Sequence, residues 1–536
     1  MSVVYYTPLY HTTHSGKMQL SKEQQTAFDI YKRGENIFLT GPGGTGKSAL
    51  IRKIYDDAYH NYKNIHVCAM TGCAAVLLSC NAKTLHSWAG IGIGVGTDSD
   101  MIKRVKDSRK AKANWQDTDV LVVDEVSMLS KKLFGTLNRI GQTIRKNNRP
   151  FGGIQLVFSG DFLQLPPVGD KDNPETQAFC FENPDWDLAF PLSNQIPFCK
   201  IFRQKDEMFT TILCQLRQGK IRRKTNDFLL DYVGRERDPN LIIEPTKLYP
   251  TRKQVDQINH TNMAALSGEP RIYVLEQLMD LEMTRKQALI RSQFTEKDVQ
   301  MELDFMTNGL ICDKKFALKV GCQVMCVVNI TAGDMDSMTT TGQGVLKDSL
   351  LLCNGSQGII TAFCPATGFP IVQFNNGVTR TMTRHIWTSD KIPGIGVSQI
   401  PLILAWALTI HKSQGSTMDA AEIDAGAGIF ECGQTYVAIS RVKSLDGLYL
   451  ASFDANCVYV HTKAKEYYDA LTQYHESKKM ASGSGSELEH EPEPVPVAIA
   501  EAVAEPVSFS QYNYVEAKVE IIHDNNRPPC LNSNTA

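Results

Sequence analysis

The sequence predicts an α/β protein with two doubly wound, parallel-sheet domains, the second interrupted by a small β-rich, barrel-like insertion. Three observations carry this expectation. Gly41-Pro42-Gly43-Gly44-Thr45-Gly46-Lys47-Ser48 fits the G-x-x-x-x-G-K-[ST] phosphate loop. Short apolar runs alternate with stretches of helical periodicity up to about residue 190, and the alternation resumes after 200 and again after 400. Between 267 and 396 the pattern changes to short strand-like pieces around Asn354-Gly355 and Asn376-Gly377, dipeptides that favour tight hairpin turns.

Leu20 to Gln25 opens a helix, with Ser21 as N-cap and Gln24 completing a capping box. The Gln24 amide also has the donor and acceptor needed to pair with the N6/N7 edge of adenine. Asn36 to Thr40 reads as a buried strand and Ala49 to Tyr59 as a helix, so the glycine-rich loop lies between them. A helix start presents free amides and a positive dipole to an anion there. Gly41, Gly43, Gly44, Thr45 and Gly46 would form the phosphate cradle, Lys47 would reach the β/γ-phosphates, and the Ser48 hydroxyl would hold Mg²⁺.

A strand at Ile65–Ala69 leads into Thr71-Gly72, and a second polar stretch follows from Thr84 through His86 to Trp88. Small residues and hydroxyls at strand ends let a single-stranded backbone approach while Trp88 or His86 meets a base. Packing of Trp88 in the core explains the same residue equally well. The run Lys103, Arg104, Lys106, Arg109, Lys110, Lys112 reads as a solvated face. Val120 to Val123 then forms a strand ending in Asp124-Glu125, where the first acid can hold Mg²⁺ opposite Ser48 and the second can polarise an attacking water. After the next strand, Ile154 to Ser159, Gln164 is placed to sense a terminal phosphate, although two prolines would also make this stretch a plain turn.

The second set begins with Ile201-Phe202-Arg203-Gln204 and the stretch from Met208 to Leu216. A strand ends at Pro250-Thr251-Arg252 and precedes a helix from Lys253 to Leu266. The set resumes at the apolar run Pro401 to Thr409, followed by Ile410-His411-Lys412-Ser413-Gln414-Gly415. Gly433 to Arg441 and a strand from Gly447 to Ala451 close the set. The expected layout is an extension at 1–19, a first domain at 20–190, a second at 191–266 and 397–465, an insertion at 267–396, and an acidic tail at 480–536.

Composition narrows the class. No apolar run is long enough to cross a bilayer, and Met1 to Gly16 lacks the features of a secretory or transit peptide, so an intracellular location is expected. The 14 cysteines are scattered through apolar stretches, which points to reduced thiols rather than zinc or disulfides. The net charge of −2 hides an asymmetry: nine acids against two bases give the tail −7 and leave the rest of the chain at +5. A mildly basic body suits a polyanion, and the tail is expected to be an interaction or solubility segment open to a protein partner.

Taken together these stretches resemble the superfamily 1B DNA helicases of the petite integration frequency (Pif) type, relatives of RecD, over about residues 18–465. Leu20–Gln24 is similar to the Q motif, Gly41–Ser48 to motif I, Met70–Ala75 to motif Ia, and Asp124-Glu125 to motif II. Gly160–Gln164 is similar to motif III, Arg203-Gln204 to motif IV, Thr409–Gly415 to motif V and Gln434–Arg441 to motif VI. The stretch from Ser127-Met128 through Arg145 to Phe151-Gly152-Gly153 resembles the family's signature between motifs II and III. The resemblance implies two RecA-like P-loop NTPase domains with small inserted subdomains, hydrolysing ATP with Mg²⁺ in the cleft between them. It implies Arg203 and Arg441 as finger-like charges from the second domain, and single-stranded DNA running across both domains. It also implies 5′-to-3′ translocation, unwinding at duplex junctions, and work in replication, repair, recombination or the removal of folded DNA such as quadruplexes. Thr71, Gly72, Thr84, His86, Trp88, Thr251, His411 and Lys412 are the residues expected at the DNA, in a monomeric motor placed in the nucleus or wherever its genome is worked on. An RNA or RNA–DNA translocase stays open, because a groove that tracks a backbone does not read the sugar unless it contacts the 2′-OH. So does an ATP-dependent nucleic-acid-binding switch that does not move.

Overall fold

The computed structural model describes residues 20–481 apart from 79, 81, 93, 95, 171, 205, 239–242, 311, 329, 332–349, 353–354 and 390–391. The expectations for the N-terminal extension and the acidic tail lie outside the described residues. Two compact units divide the chain at Ser477/Lys478, and everything below belongs to the first apart from the last residues of the C-terminal helix.

Six parallel strands form the first sheet: β1 (Ile37–Thr40), β2 (Ile65–Ala69), β3 (Lys83–Thr84), β4 (Val120–Asp124), β5 (Gln155–Gly160) and β6 (Gln195–Pro197), in the order β3-β2-β4-β5-β1-β6. The apolar runs read from the sequence are continuous because both faces are covered. Phe38, Leu121, Val123, Leu156 and Phe158 feed one core, while Ile37, Leu39, Val120, Val122 and Val157 feed the other. In such sheets the ligand-bearing loops follow the carboxyl ends of the strands. Here those ends carry, across the sheet, Thr84, Thr71-Gly72, Asp124-Glu125, Asp161 and Gly41. The edge strand β6 lies past Phe190, so the first sheet continues beyond residue 190.

The signature stretch builds this domain rather than a ligand site. A Cβ at Gly141 would lie 2.6 Å from the Phe151 carbonyl carbon, and one at Gly152 would lie 2.4 Å from the Gly141 carbonyl oxygen, so the helix Lys131–Arg145 and the Phe151-Gly152 turn touch backbone to backbone. Arg145 then donates to the carbonyls of Gly152 (2.8 Å), Trp115 (2.8 Å), Gln116 (2.9 Å) and Thr118 (3.0 Å).

The second sheet is also parallel, in the order Ala407–Thr409, Thr246–Tyr249, Ala421–Ala425, Leu448–Phe453. Its interior strand Ala421–Ala425 was not expected. The apolar run Pro401–Thr409 holds two strands: Leu402–Leu404 pairs antiparallel with Gln323–Cys326 of the insertion, and Ala407–Thr409 joins the second sheet. The insertion is β-rich, with a five-stranded antiparallel sheet and three smaller ones, and it also holds the helices Arg285–Arg291 and Glu296–Gly309. Asn376-Gly377 closes a hairpin between Pro370–Phe374 and Thr379–Thr381, with Gly377 at φ +83°. Among the described residues Leu350–Leu352 pairs with Ile330–Thr331, and Asn354 of the other expected turn lies outside the described residues. The C-terminal helix Thr462–Ala481 returns to the first domain, where the Tyr467 ring stacks 4.6 Å from Phe181.

Candidate active site

The helices α1 (Lys22–Lys32) and α2 (Lys47–His60) frame the phosphate loop. At the start of α1 the Gln24 backbone N donates 3.2 Å to the Ser21 hydroxyl while Ser21 N donates 3.0 Å to the side-chain Oε1 of Gln24. The same side chain, buried at 3 % exposure, reaches across the loop, where Nε2 donates 3.2 Å to the Thr45 carbonyl. Gln24 therefore clamps α1 to the phosphate loop, and both ends of its amide are engaged in doing so. The structure shows the capping box, and the adenine-edge role stays a proposal. A Cβ at Gly46 would sit 2.5 Å from Gln24 Nε2, and Gly46 has φ +81°, so only glycine fits there. Lys47 Nζ donates to the loop's own carbonyls, Gly41 O at 2.6 Å and Pro42 O at 2.9 Å. Burial holds its ammonium below the usual lysine range against the pull of Asp161, Glu125 and Asp124.

Asp124 and Glu125 follow β4 as expected. Asp124 is 8 % exposed, and burial raises its carboxyl. Glu125 sits at φ 57°, a left-handed conformation that persists in a non-glycine residue only where the surroundings hold it. Its carboxyl is pushed up to about 7 by burial and by Asp124, against Lys47 and Arg441. From the second domain, Gln414 Nε2 donates 3.1 Å to Glu125 Oε2.

A cavity of about 330 Å³ brings these groups together. Gly43, Gly44, Thr45, Gly46, Lys47, Ser48, Asp124, Glu125 and Gln164 line one side, and Phe202, Arg203, Gly415 and Arg441 the other. Arg441, 3 % exposed, is fixed by donating to Val437 O (2.7 Å), Ser416 O (3.1 Å) and Ser440 Oγ (2.8 Å). Burial and the neighbouring Arg203 bring it down to about 10, and burial also lowers Arg203. Arg441, buried, and Arg203, half-buried, face the phosphate loop, and two desolvated cations there make a site that an anion relieves. The loop and the second domain also touch directly: Phe202 N donates to Gly44 O at 2.9 Å, Gly43 N donates to Tyr436 Oη at 3.1 Å, and a Cβ at Gly44 would lie 2.7 Å from Arg203 Cβ. Phe202, Gln414, Gly415 and Tyr436 lie inside the stretches singled out from the sequence, yet no local pattern marks them apart from their neighbours.

The residues expected at a nucleic acid divide between both domains. The Thr71 and Thr84 hydroxyls accept from Ala74 N (3.2 Å) and Ser87 N (3.3 Å), and so shape the starts of α3 (Gly72–Leu78) and α4 (Leu85–Ala89). A Cβ at Gly72 would meet nothing within 4 Å, which leaves its backbone open. His86, lowered by burial, lines a groove of about 390 Å³ with Lys83, Arg104 and the insertion's Met301 and Phe305. His411, also lowered by burial, and Lys412 line a cavity of about 560 Å³ with Pro250 and Arg252 on either side of Thr251. The Thr251 hydroxyl donates 2.6 Å to Gln254 Oε1. Trp88 is 1 % exposed and packs 4.7 Å from the Trp115 ring, so of the two readings the sequence left open the structure shows core packing.

Residues 19–227 match the PIF1-like helicase family. The chain is 34% identical over 501 residues to the ATP-dependent DNA helicase PIF1 of Emericella nidulans, an overlap covering 82% of this chain and 62% of that protein. It is 33% identical to the crystal structure of Pif1 helicase from Candida albicans, with a TM-score of 0.65 over 85% of this chain and 100% of that one. The chain belongs to the PIF1-like helicase family. Its two parallel sheets are the two RecA-like domains of such helicases. A Pif1 helicase from Bacteroides in complex with ADP-AlF3 and single-stranded DNA is 26% identical, with a TM-score of 0.57 over 87% of this chain and 98% of that one. Against the curated PIF1 from Emericella nidulans, this family member spans about 62% of the length. Among the described residues no helix is long and apolar enough to cross a membrane.

Proposed function

We propose that this chain is an ATP-dependent DNA helicase that moves on single-stranded DNA, 5′-to-3′, and opens duplex at a junction. The observation that carries the reading is the cavity whose two walls come from different domains, with the phosphate loop and paired acids on one and Arg203 and Arg441 on the other. The donor set fits Mg²⁺, since the Asp124 carboxylate and the Ser48 hydroxyl, both hard oxygen donors, line the same cavity. Ser48 and Asp124 would hold the ion, which when bound neutralises charge on the β- and γ-oxygens of ATP.

The chain's own residues supply the rest. The loop amides and Lys47 bind the phosphates, and Phe202, half exposed at the mouth, offers an apolar face to the purine. Glu125 accepts a proton from the attacking water, a role suited to a carboxyl held near 7, while Gln414 orients it. Gln164 and the two arginines meet the transferring phosphoryl group. Because the arginines belong to the opposite domain, hydrolysis requires closure, and closure moves the two strand-end edges that carry Thr71, Gly72, Thr84 and His86 on one side and Thr251, His411 and Lys412 on the other. A single strand held across both edges is then advanced with each turnover. Likeness to a helicase solved with ADP-AlF3 and single-stranded DNA together supports this reading.

The test is ATP hydrolysis with and without single-stranded DNA, followed by unwinding of duplexes tailed at the 5′ or the 3′ end. Stimulation by DNA and unwinding from the 5′ tail are expected; hydrolysis indifferent to nucleic acid would leave a switch rather than a motor. A matched RNA strand in the same assay separates DNA from RNA as the track.

A further inference from the structure

The hydroxyl of Tyr436 has no task in the mechanism above, yet it is the side-chain acceptor that the second domain gives to a phosphate-loop amide. It lies on the short helix Gln434–Ile439, is 2 % exposed, and its Oη accepts the 3.1 Å hydrogen bond from Gly43 N. The same helix anchors Arg441, whose Nε donates to Val437 O at 2.7 Å. One short helix therefore governs two things at once: the position of a cation in the cavity and the pairing of a loop amide. Burial, with Asp161 beside it, pushes the phenol up to about 12, so at neutral pH it remains an uncharged acceptor that brings no negative charge next to bound phosphates.

On the reading that this chain hydrolyses ATP, we infer that Tyr436 is a positioning residue, whose hydroxyl fixes the Gly43 end of the phosphate loop only while Arg441 is seated. The half-buried Gly43 amide has its acceptor only when the second domain is in place, so the loop's shape at Gly43 is tied to that domain's position. Loop geometry and arginine approach then become one event. Without the hydroxyl the two separate: ATP still binds to the remaining amides and Lys47, but the loop no longer responds to closure.

Tyr436→Phe keeps the buried ring and removes only the acceptor. In the full chain it is expected to melt with the wild type and to bind a fluorescent ATP analogue within about threefold. Its DNA-stimulated kcat is expected to fall about tenfold with KM for ATP little changed, the pattern of an interaction made toward the transition state. An unchanged kcat overturns the inference, and so does a raised KM at unchanged kcat, which would make the hydroxyl a plain binding contact. Hydrogen exchange at the 41–48 peptide gives a second reading that needs only the wild type: protection at Gly43 is expected without nucleotide, and fast exchange there overturns the inference as well. Wild-type chain that hydrolyses no ATP would remove the helicase reading itself, whereas an active wild type beside an equally active Tyr436→Phe removes only the role of Tyr436.

Discussion

The boundary between the two RecA-like domains has two seams of opposite character. At one, Arg217 from the helix Glu207–Gln218 grips Asp161 with two bonds, Nε to Oδ2 at 2.9 Å and Nη2 to Oδ1 at 2.8 Å, and Asp161 is 0 % exposed. Tyr468 backs this pair: its hydroxyl donates 3.3 Å to Asp161 Oδ1, accepts 3.0 Å from Phe162 N and lies 2.5 Å from Thr40 Oγ1, while the Arg217 guanidinium sits 5.0 Å over its ring. At the other seam, around the cavity, the domains meet through separate single bonds, Gln414 to Glu125, Gly43 to Tyr436 and Phe202 to Gly44. Leaving one partner of a buried ion pair alone costs about 3–5 kcal/mol, whereas a single hydrogen bond nets about 1 kcal/mol. The difference teaches where motion is cheap: the phosphate seam can open and shut while the Asp161–Arg217 seam stays closed and serves as the pivot.

The sharpest way to break that contrast is Arg217→Met, which strands the Asp161 carboxylate in the interior. A loss of about 3–5 kcal/mol in urea unfolding of the first compact unit is expected, with much of it recovered in the double variant Asp161→Asn/Arg217→Met. The pH dependence has a definite sign. Burial raises the Asp161 carboxyl, but the charge and hydrogen bonds of Arg217 more than offset it and leave the group below the ordinary range. A depressed carboxyl contributes its stability in full above the unfolded value of about 3.9 and loses it as pH falls through the folded value. The seam is therefore expected to hold unchanged from pH 8 to 5, and Asp161→Asn to remove part of the wild type's loss of stability below about pH 4. A wild type already weakening between pH 7 and 5 would need another group.

Glu125→Gln attacks the other seam with the opposite signature. Turnover is expected to fall by about 10²-fold or more while ATP still binds, and Lys47→Ala to abolish turnover altogether. Unlike Arg217→Met, Glu125→Gln exchanges a carboxylate that burial disfavours for a neutral amide, so unfolding free energy is expected to stay level or rise. Loss of ATP binding in both variants alike would contradict the division of roles. Tyr468→Phe sits between these extremes. Removing its hydroxyl from Thr40, Phe162 and Asp161 is expected to cost about 1–2 kcal/mol of stability with kcat nearly intact, because it loosens the pivot's backing without touching the cavity.

These seams also show what a sequence can reveal. The phosphate loop was legible because its chemistry lies in eight consecutive residues whose backbone does the work, and Asp124-Glu125 because an apolar strand announces its own end. Trp88 was ambiguous, since one residue type serves a core and a stacking platform equally. The interior strand Ala421–Ala425 was hidden because Glu422 and Asp424 break its apolar run, their outward ends taken up by Arg237 and Ser452. The run Pro401–Thr409 could not show that it changes sheets halfway, because both halves are equally apolar. Asp161 and Arg217 are 56 residues apart with no shared pattern, so the pivot exists only once the fold has brought them together.

Gln414→Ala tests the phosphate seam at its weakest bond. The side chain is 4 % exposed and donates 3.1 Å to Glu125 Oε2, and that bond ties the proposed general base to the second domain. Its loss is expected to reduce DNA-stimulated kcat by about three- to tenfold, the equivalent of about 1 kcal/mol, with urea unfolding unchanged within error. The informative number is the ratio of hydrolysis with DNA to hydrolysis without it. If Gln414 orients Glu125 only when the cleft shuts, the DNA-stimulated rate falls and the basal rate does not, so the ratio falls with kcat. A basal rate that drops in proportion would mean that the Gln414–Glu125 bond stays made throughout the cycle. The phosphate seam would then be no more mobile than the Asp161–Arg217 pair, and the contrast between pivot and latch would disappear.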